Sequence, residues 1–221
     1  MSEEQEEQHL VVLARTPADP ARWEALVDDV AAISDAVSVV RPELLGGAPI
    51  PGGSNLTVSQ EILERAVGRP LLVLPASEPS GPRSAPARLH RILVPMDRSL
   101  SERWALRPLI EQAQALQIDV HQLHVLGRTS RPAMWEGSGH HAEAWLAELR
   151  RRHQPAGTAL AVVGGDPVER ILSAAQKADL VMICWHCDTS PDRAGVVRAV
   201  IDRMEQPLLL IPVGSPHPED S

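Results

Sequence analysis

Two cysteines lie three residues apart in the run Cys184-Trp185-His186-Cys187. A C-x-x-C spacing can support thiol–disulfide exchange, or it can supply two of the four ligands of a zinc ion. No further pair of zinc ligands is arranged nearby, and Cys184 ends an apolar run in which it can serve as a small core residue. The core interpretation is preferred, and a redox or metal sensor at Cys184 and Cys187 is kept as an alternative.

Histidine pairs are a second candidate for metal chemistry, and their spacing argues against it. His140 and His141 begin a predicted helix, where adjacent residues do not face each other. His121 and His124 lie on a predicted strand and point to opposite faces of the sheet. We therefore interpret them as structural or rim residues and assign no metal ligand.

Asp97 and a glycine-rich run are the remaining candidates for a binding site. Asp97 follows an apolar strand, where open α/β sheets bind ligands, although an Asp in such a turn can equally cap the next helix. The run Gly52-Gly53-Ser54-Asn55 lacks the Lys and Ser/Thr of a P-loop, which favours a turn. Because no Ser-His-Asp order, nucleophile elbow or paired carboxylate motif occurs either, an enzyme is not indicated.

The composition limits the class of protein. The 221 residues suit one complete domain plus a reduced one, and 43% hydrophobic residues provide a core. A net charge of −8, with acidic residues concentrated in Ser2 to Glu7, offers no basic face to nucleic acid. Since there is no membrane-length apolar run and only two closely spaced cysteines, we expect a cytoplasmic protein without membrane contact.

The first part of the chain has the predicted order β-α-β-loop-α-β. A helix opens at Thr16-Pro17 and carries apolar residues at helical spacing. A glycine- and proline-rich loop precedes a second helix, which begins at Thr57 and ends at Gly68. The predicted strands are His9 to Ala14, Ala36 to Val40 and Pro70 to Leu74.

The second part alternates five apolar strands with four amphipathic helices, which predicts a parallel sheet covered on both faces. Pro108 falls inside one helical pattern, where we expect a kink. The predicted strands are Arg91 to Pro95, Asp119 to Leu126, Ala159 to Val163, Leu180 to Trp185 and Pro207 to Ile211. The predicted helices are Ser101 to Leu116, His140 to His153, Pro167 to Ala178 and Pro191 to Met204.

These patterns give a fold class and a set of boundaries. The fold is a doubly wound, five-stranded parallel α/β sheet, preceded by a smaller, reduced α/β half. The composition of the Pro- and Ser-rich segment between the two parts indicates a linker. We predict an acidic disordered tail at 1–8, the reduced half at 9–75, the linker at 76–88, the main domain at 89–215 and a second tail at 216–221.

Five segments of the second part, in order and spacing, resemble the universal stress protein family. The first part looks like a reduced partner half of a tandem member, because Glu61 to Pro75 resembles the final helix and strand of the family and also echoes Val197 to Pro212. The resemblance implies a sheet of the Rossmann-like, adenine nucleotide alpha hydrolase-like type, and an internal pseudo-dimer with the two closing strands paired. The five segments are Arg91-Ile92-Leu93-Val94-Pro95-Met96-Asp97-Arg98-Ser99, Leu123-His124-Val125, Gly165-Asp166-Pro167, Ala178-Asp179-Leu180-Val181-Met182 and Gln206-Pro207-Leu208-Leu209-Leu210-Ile211-Pro212.

The resemblance also implies where a nucleotide would bind. Family members hold ATP with an Asp after the first strand, a Val ending the second, and a glycine-rich loop whose amides bind the phosphates. Here Cys184 and Cys187 stand where the first two glycines belong, so we expect a degenerate nucleotide site or none. The implied positions for a retained cofactor, ATP or another adenine nucleotide, are Pro95, Asp97, Val125, Ile183, Ala194, Gly195 and Val196.

Three hypotheses follow for function. The first is a stress-response regulator or binding module that acts by association, as a homodimer or intramolecular pseudo-dimer, with a protein partner that the sequence does not identify. The second is an adenine-nucleotide binder with slow ATPase activity. The third is the redox or metal sensor.

Overall fold

The computed structural model describes most of the second part of the chain and selected elements of the first. The acidic tail, the glycine-rich loop, Asp97 and all but the last residue of the predicted linker lie outside the described residues. The described residues are 9–14, 20–34, 38–39, 43–44, 62–63, 69–75, 88–96, 100–126, 139–153, 157–187 and 191–213.

The first part contributes one helix and four short strands to the described fold. Apolar residues spaced along the helix are buried, as the sequence predicts, while Glu24 and Asp28 between them are exposed. Of the second predicted helix, only Ile62 and Leu63 are described, and both are helical and buried. The elements are β1 (His9–Ala14), α1 (Pro20–Ile33), β2 (Ser38–Val39), β3 (Glu43–Leu44) and β4 (Leu71–Leu74).

The second part contains the five strands and four helices that the sequence predicts. The bounds of β5, β6 and β8 agree with the prediction, and the ends of the other elements agree with it or differ by at most three residues. The elements are β5 (Arg91–Pro95), α2 (Leu100–Ala115), β6 (Asp119–Leu126), α3 (Gly139–His153), β7 (Ala159–Gly164), α4 (Pro167–Ala175), β8 (Leu180–Trp185), α5 (Pro191–Arg203) and β9 (Leu208–Pro212).

Two prolines mark these helices in different ways. Asp166 caps α4, since its side chain accepts a hydrogen bond of 3.0 Å from the Glu169 N–H, and Pro167 occupies the first turn. Pro108 lies within α2, which continues on both sides of it. Pro108 is exposed, so the missing N–H leaves the carbonyl of the preceding turn free to meet solvent.

The strands of the second part form a parallel sheet in the order β7-β6-β5-β8-β9. The chain moves outward from β5 to β6 and β7, then returns across β5 to β8 and β9. Since crossovers between parallel strands are right-handed, this reversal of direction puts the first two helices and the last two on opposite faces. The sheet is therefore doubly wound, as predicted.

Two buried apolar clusters, one on each face, hold the helices to the sheet. Residues of α1 and α2 pack on one face, which we call the α2 face, together with alternate residues of β4, β5, β8 and β9. Residues of α4 and α5 pack on the opposite face, the α5 face, against the intervening strand residues. A smaller cluster joins Leu149 of α3 to Leu160 and Met96.

The two parts of the chain join through their closing strands. β4 pairs antiparallel with β9, with Leu72 opposite Leu209, and this confirms the pairing expected from the family resemblance. We call this pairing the seam. β1 lies beyond β4, and both β2 and β3 pair with β1. The described strands thus form one continuous sheet, and β3 is an element that the sequence did not predict.

Helix α1 adds a second connection between the parts. Trp23 and Leu26 belong to the same buried cluster as residues of α2. The Asp29 carboxylate accepts a hydrogen bond of 2.7 Å from the backbone N–H of Leu89, which is buried just before β5. The first part therefore shares a core with the second.

Asp179 connects β8 to the start of β5. Its Oδ2 accepts hydrogen bonds from the backbone N–H groups of His90 and Arg91, at 3.0 and 2.9 Å, and its own N–H donates to the Arg91 carbonyl. We expect Asp179→Ala to lower the free energy of unfolding by about 2 kcal/mol, because two backbone donors lose a charged acceptor.

Urea denaturation measures this loss, and Asp179→Asn is the matched control. Asparagine keeps one carbonyl oxygen that can accept both bonds, so its loss stays below about 1 kcal/mol. Equal losses for the two variants would show that negative charge, rather than the pair of hydrogen bonds, stabilises this connection.

Candidate functional site

The sheet order places a candidate site at the carboxyl ends of β5, β6 and β8, which we call the carboxyl edge. In open α/β sheets, ligands bind outside the carboxyl ends of the strands, at the point where the direction of winding reverses. Here that point lies between β5 and β8. The predicted site residues come from the strands and helix that surround it.

Three of the predicted residues lie on the strands at this edge. Pro95 is the buried last residue of β5 and pairs with Leu123 of β6. Val125 is half-buried near the end of β6, and Ile183 is buried in β8. Val125 and Ile183 pack in the cluster on the α5 face, so the structure brings these two together on one side of the sheet.

The residues predicted on α5 have different surroundings. Ala194 is fully buried in the same cluster as Ile183, whereas Gly195 is exposed and Val196 is 39% exposed. A Cβ atom added to Gly195 would meet no atom within 4 Å. The fold therefore leaves room for a side chain at Gly195, and among the described residues no protein atom requires glycine there.

The end of β8 is filled by side chains where the family resemblance places glycines. Cys184 is buried on the α2 face, and Trp185 is 2% exposed on the α5 face. Cys187 has a φ of +57°, a left-handed conformation that glycine adopts without strain and other residues rarely adopt. The backbone thus keeps a glycine-like torsion at Cys187 while the side chain occupies the space that glycine would leave open.

Neither Cys184 nor Cys187 is in a disulfide bond, and the two side chains pack against different faces of the sheet. The Cys187 Sγ lies 3.8 Å from the Trp185 carbonyl oxygen, to which it donates. A disulfide between Cys184 and Cys187 would require both side chains to turn toward one side, and hence movement of the backbone. In the described ranges, no three His, Cys, Asp or Glu side chains are grouped to hold a metal ion.

His124 holds the backbone of Met96, the residue that follows β5. The imidazole is buried, and its Nδ1 lies 2.9 Å from the Met96 carbonyl oxygen, so Nδ1 is the nitrogen that carries the proton in this bond. The Met96 N–H donates to the Leu123 carbonyl at 2.9 Å. Both backbone groups of Met96 are therefore held by β6, which agrees with the structural role predicted for His124.

The turn after β7 contains a glycine that its backbone requires. Gly165 has a φ of +136°, and a Cβ atom there would lie 2.9 Å from the Arg170 Nε. The same Nε donates to the Gly164 carbonyl at 2.9 Å. A guanidinium therefore covers the last carbonyl of β7, the strand at the end of the described sheet, in the way that charged side chains protect edge strands.

We expect Gly165→Ala to lower the free energy of unfolding by about 1–3 kcal/mol, because a side chain strains this torsion and displaces Arg170. Gly195→Ala is the matched control in an open helical position, and we expect it to raise stability by about 0.5–1 kcal/mol. Thermal and urea unfolding of both variants measure the difference. Equal effects of the two substitutions would contradict the special role of the Gly165 torsion.

A groove of about 270 Å³ lies away from these residues, between α4 and the end of α5. Glu169 and Arg203 cross it as an ion pair of 2.7 Å, and the hydrogen bond that Arg203 donates to the Glu169 carboxylate raises the pKa of the Arg203 guanidinium. Both side chains are exposed, and arginine is charged at any physiological pH. The groove shares no residue with the carboxyl edge.

The fold is that of a doubly wound α/β protein with its candidate site at the carboxyl edge. The model of the universal stress protein family matches residues 88–212, which is more than half of the chain. The chain therefore belongs to the universal stress protein family. None of the helices that the structure describes has the length and apolar character needed to cross a membrane.

Solved structures with a similar fold include members of this family. A protein of unknown function from Pseudomonas aeruginosa PAO1 matches with a TM-score of 0.50 and 17% identity, over 94% of this chain and 83% of its own. A universal stress protein in complex with cAMP has a TM-score of 0.41 and 21% identity, over 56% and 96% of the two chains.

A third structure, the universal stress protein from Archaeoglobus fulgidus in complex with dAMP, has a TM-score of 0.37 and 20% identity, over 56% and 97% of the chains. Among curated proteins, no match to the chain was found. At these identities the structural matches show the fold alone.

Proposed function

We propose that this chain is a stress-response regulator or binding module with a degenerate nucleotide site, and that it acts by association. The observation that carries the proposal is the filled end of β8. Trp185 is buried there, and Cys184 and Cys187 replace the glycines that the family resemblance expects. A phosphate group needs close approach to backbone N–H groups, and side chains at these positions stand in its way.

The seam supports association inside one chain. β9 would otherwise end the sheet of the second part, and an uncovered strand invites pairing with another chain. Here β4 covers β9 through three residue pairs, all leucine or valine and all buried. We propose that the chain is an intramolecular pseudo-dimer and that a homodimer through β9 is blocked by its own first part.

An adenine-nucleotide binder is the second candidate function. Its support is family membership, since family members are known in complex with cAMP and with dAMP. The residues that would hold the ligand are Asp97 and Val125 for the nucleoside and Ala194 to Val196 for the phosphates, as the resemblance implies. Ile183 and Pro95 would form the floor of that site, and slow ATP hydrolysis is the activity to test.

Native mass spectrometry of freshly purified protein, with and without ATP and magnesium, separates the two candidates. We expect a single chain mass that is unchanged by ATP at millimolar concentration. A bound nucleotide in the wild-type protein that disappears in Asp97→Ala would overturn the degenerate-site proposal. Nucleotide mass retained by Asp97→Ala would instead indicate nonspecific attachment, and a dimer mass would contradict the pseudo-dimer.

A further inference from the structure

We propose that the Trp185 indole closes the crevice at the carboxyl edge from the inside, in the place where a nucleotide base would lie, and so determines what the edge accepts. This inference rests on the proposed degenerate site, and it names Trp185 as the residue that keeps a nucleotide base out of that site. It follows from the position, direction and size of one side chain.

The position of Trp185 places it at the edge. It is the last residue of β8, and β8 borders the point where the winding of the sheet reverses. Its backbone is fixed, because its carbonyl accepts a hydrogen bond of 2.8 Å from the Val213 N–H. The indole is therefore attached to a rigid strand end rather than to a loop.

The direction of the side chain places it on the ligand side. Alternate residues of a strand point to the same face, so Ile183 and Trp185 both project toward α4 and α5. Both belong to the buried cluster that contains Ala194 and against which Val125 packs. The indole thus shares one apolar environment with three residues of the predicted nucleotide site.

The size of the side chain matches the group that it would replace. Indole and purine are both planar fused rings of six and five atoms, and the Trp185 side chain is 2% exposed. The indole Nε1 is buried and has no hydrogen-bond partner among the described residues. A buried Trp usually has a partner for this group, so the contacts described for this ring are those of its apolar packing.

Removal of the indole should open a site for a base. A cavity left by truncation of a large apolar side chain can bind a planar aromatic molecule of matching size. Ile183, Ala194 and Val125 would line that cavity with apolar side chains, and the strand end is the side from which a ligand would enter. A planar heterocycle that carries a sugar, such as adenosine, fits a cavity of this kind, because the sugar can extend from the edge.

The test compares Trp185→Ala with Trp23→Ala and the wild-type protein, each titrated with adenosine in a thermal unfolding assay. Trp23 is likewise buried, at 5% exposure, but it lies on the α2 face in the core under α1. We expect the melting temperature of Trp185→Ala to rise with the logarithm of the adenosine concentration, by roughly 5 °C or more at one hundred times the dissociation constant. The wild-type protein and Trp23→Ala should show none.

A second variant covers the case in which Trp185→Ala does not fold. Trp185→Leu keeps part of the core volume and should show the same dependence on adenosine. The proposal is overturned if the folded variants are indifferent to adenosine, or if Trp23→Ala responds as strongly. If the folded variants do not respond to adenosine, the proposal of a degenerate site still stands. ATP binding by the wild-type protein would instead overturn the proposal of a degenerate site.

Discussion

Leu209→Ala should lower the free energy of unfolding of the chain by about 2–5 kcal/mol. Leu209 is fully buried in β9, at the centre of the seam, and lies opposite the equally buried Leu72 of β4. Truncation removes apolar contacts and leaves a cavity that the surrounding strands cannot close. Urea denaturation followed by circular dichroism measures the loss.

The pairing across the seam predicts a second result. Since Leu72 and Leu209 are direct neighbours, Leu72→Ala and the double variant should show a coupling energy of about 0.5–3 kcal/mol. Leu116→Ala, at the exposed residue that follows α2, is the control and should change stability by less than about 0.5 kcal/mol. Two separate unfolding transitions, only one of them shifted by Leu209→Ala, would contradict a cooperative unit built across the seam.

The fold of the second part could be predicted closely because its strands are buried on both faces. Such strands read as continuous apolar runs, and the bounds of Arg91–Pro95 and Leu180–Trp185 follow directly from them. The seam could be predicted because its two strands resemble each other in sequence, each following a helix and a proline. Given that likeness, the family resemblance was enough to predict that the two strands pair.

The short strands of the first part could not be predicted in the same way. Glu43–Leu44 is too short to show any alternation, and it becomes a strand only because β1 offers hydrogen-bonding groups beside it. The order of β2, β1 and β4 likewise depends on long-range pairing. Local sequence carries no signal for either feature.

The site could be predicted only in part, for a physical reason. The family motifs predicted Pro95, Val125 and Ile183, because these residues lie on regular strands whose ends can be located in the sequence. The sequence shows Trp185 only as a residue between two cysteines. A large apolar residue at a strand end can belong to the core or fill a crevice, and periodicity does not distinguish these two roles. The hydrogen bond from His124 to Met96 joins residues 28 apart and depends on how β5 and β6 pair.

Helix α1 gives the other large effect, because it is the part of the reduced half that packs directly on the second part. We expect Trp23→Ala to lower the free energy of unfolding by about 3–5 kcal/mol, since an almost fully buried indole leaves the cluster that joins α1 to α2. Thermal and urea unfolding measure the loss, and Glu24→Ala, at the exposed neighbouring position, is the control and should change stability by less than about 0.5 kcal/mol.

The same variant tests whether the first part is needed to keep β9 covered. If α1 holds β4 against β9, Trp23→Ala should loosen the seam and expose a strand edge, so its dimer fraction in sedimentation experiments should rise with protein concentration. Asp29→Ala weakens the same connection at the Leu89 N–H and should act in the same direction, with a smaller loss of about 1–3 kcal/mol. A destabilised Trp23→Ala that stays monomeric at every concentration would show that the seam is held by the β4–β9 pairs alone and that α1 contributes stability without controlling association.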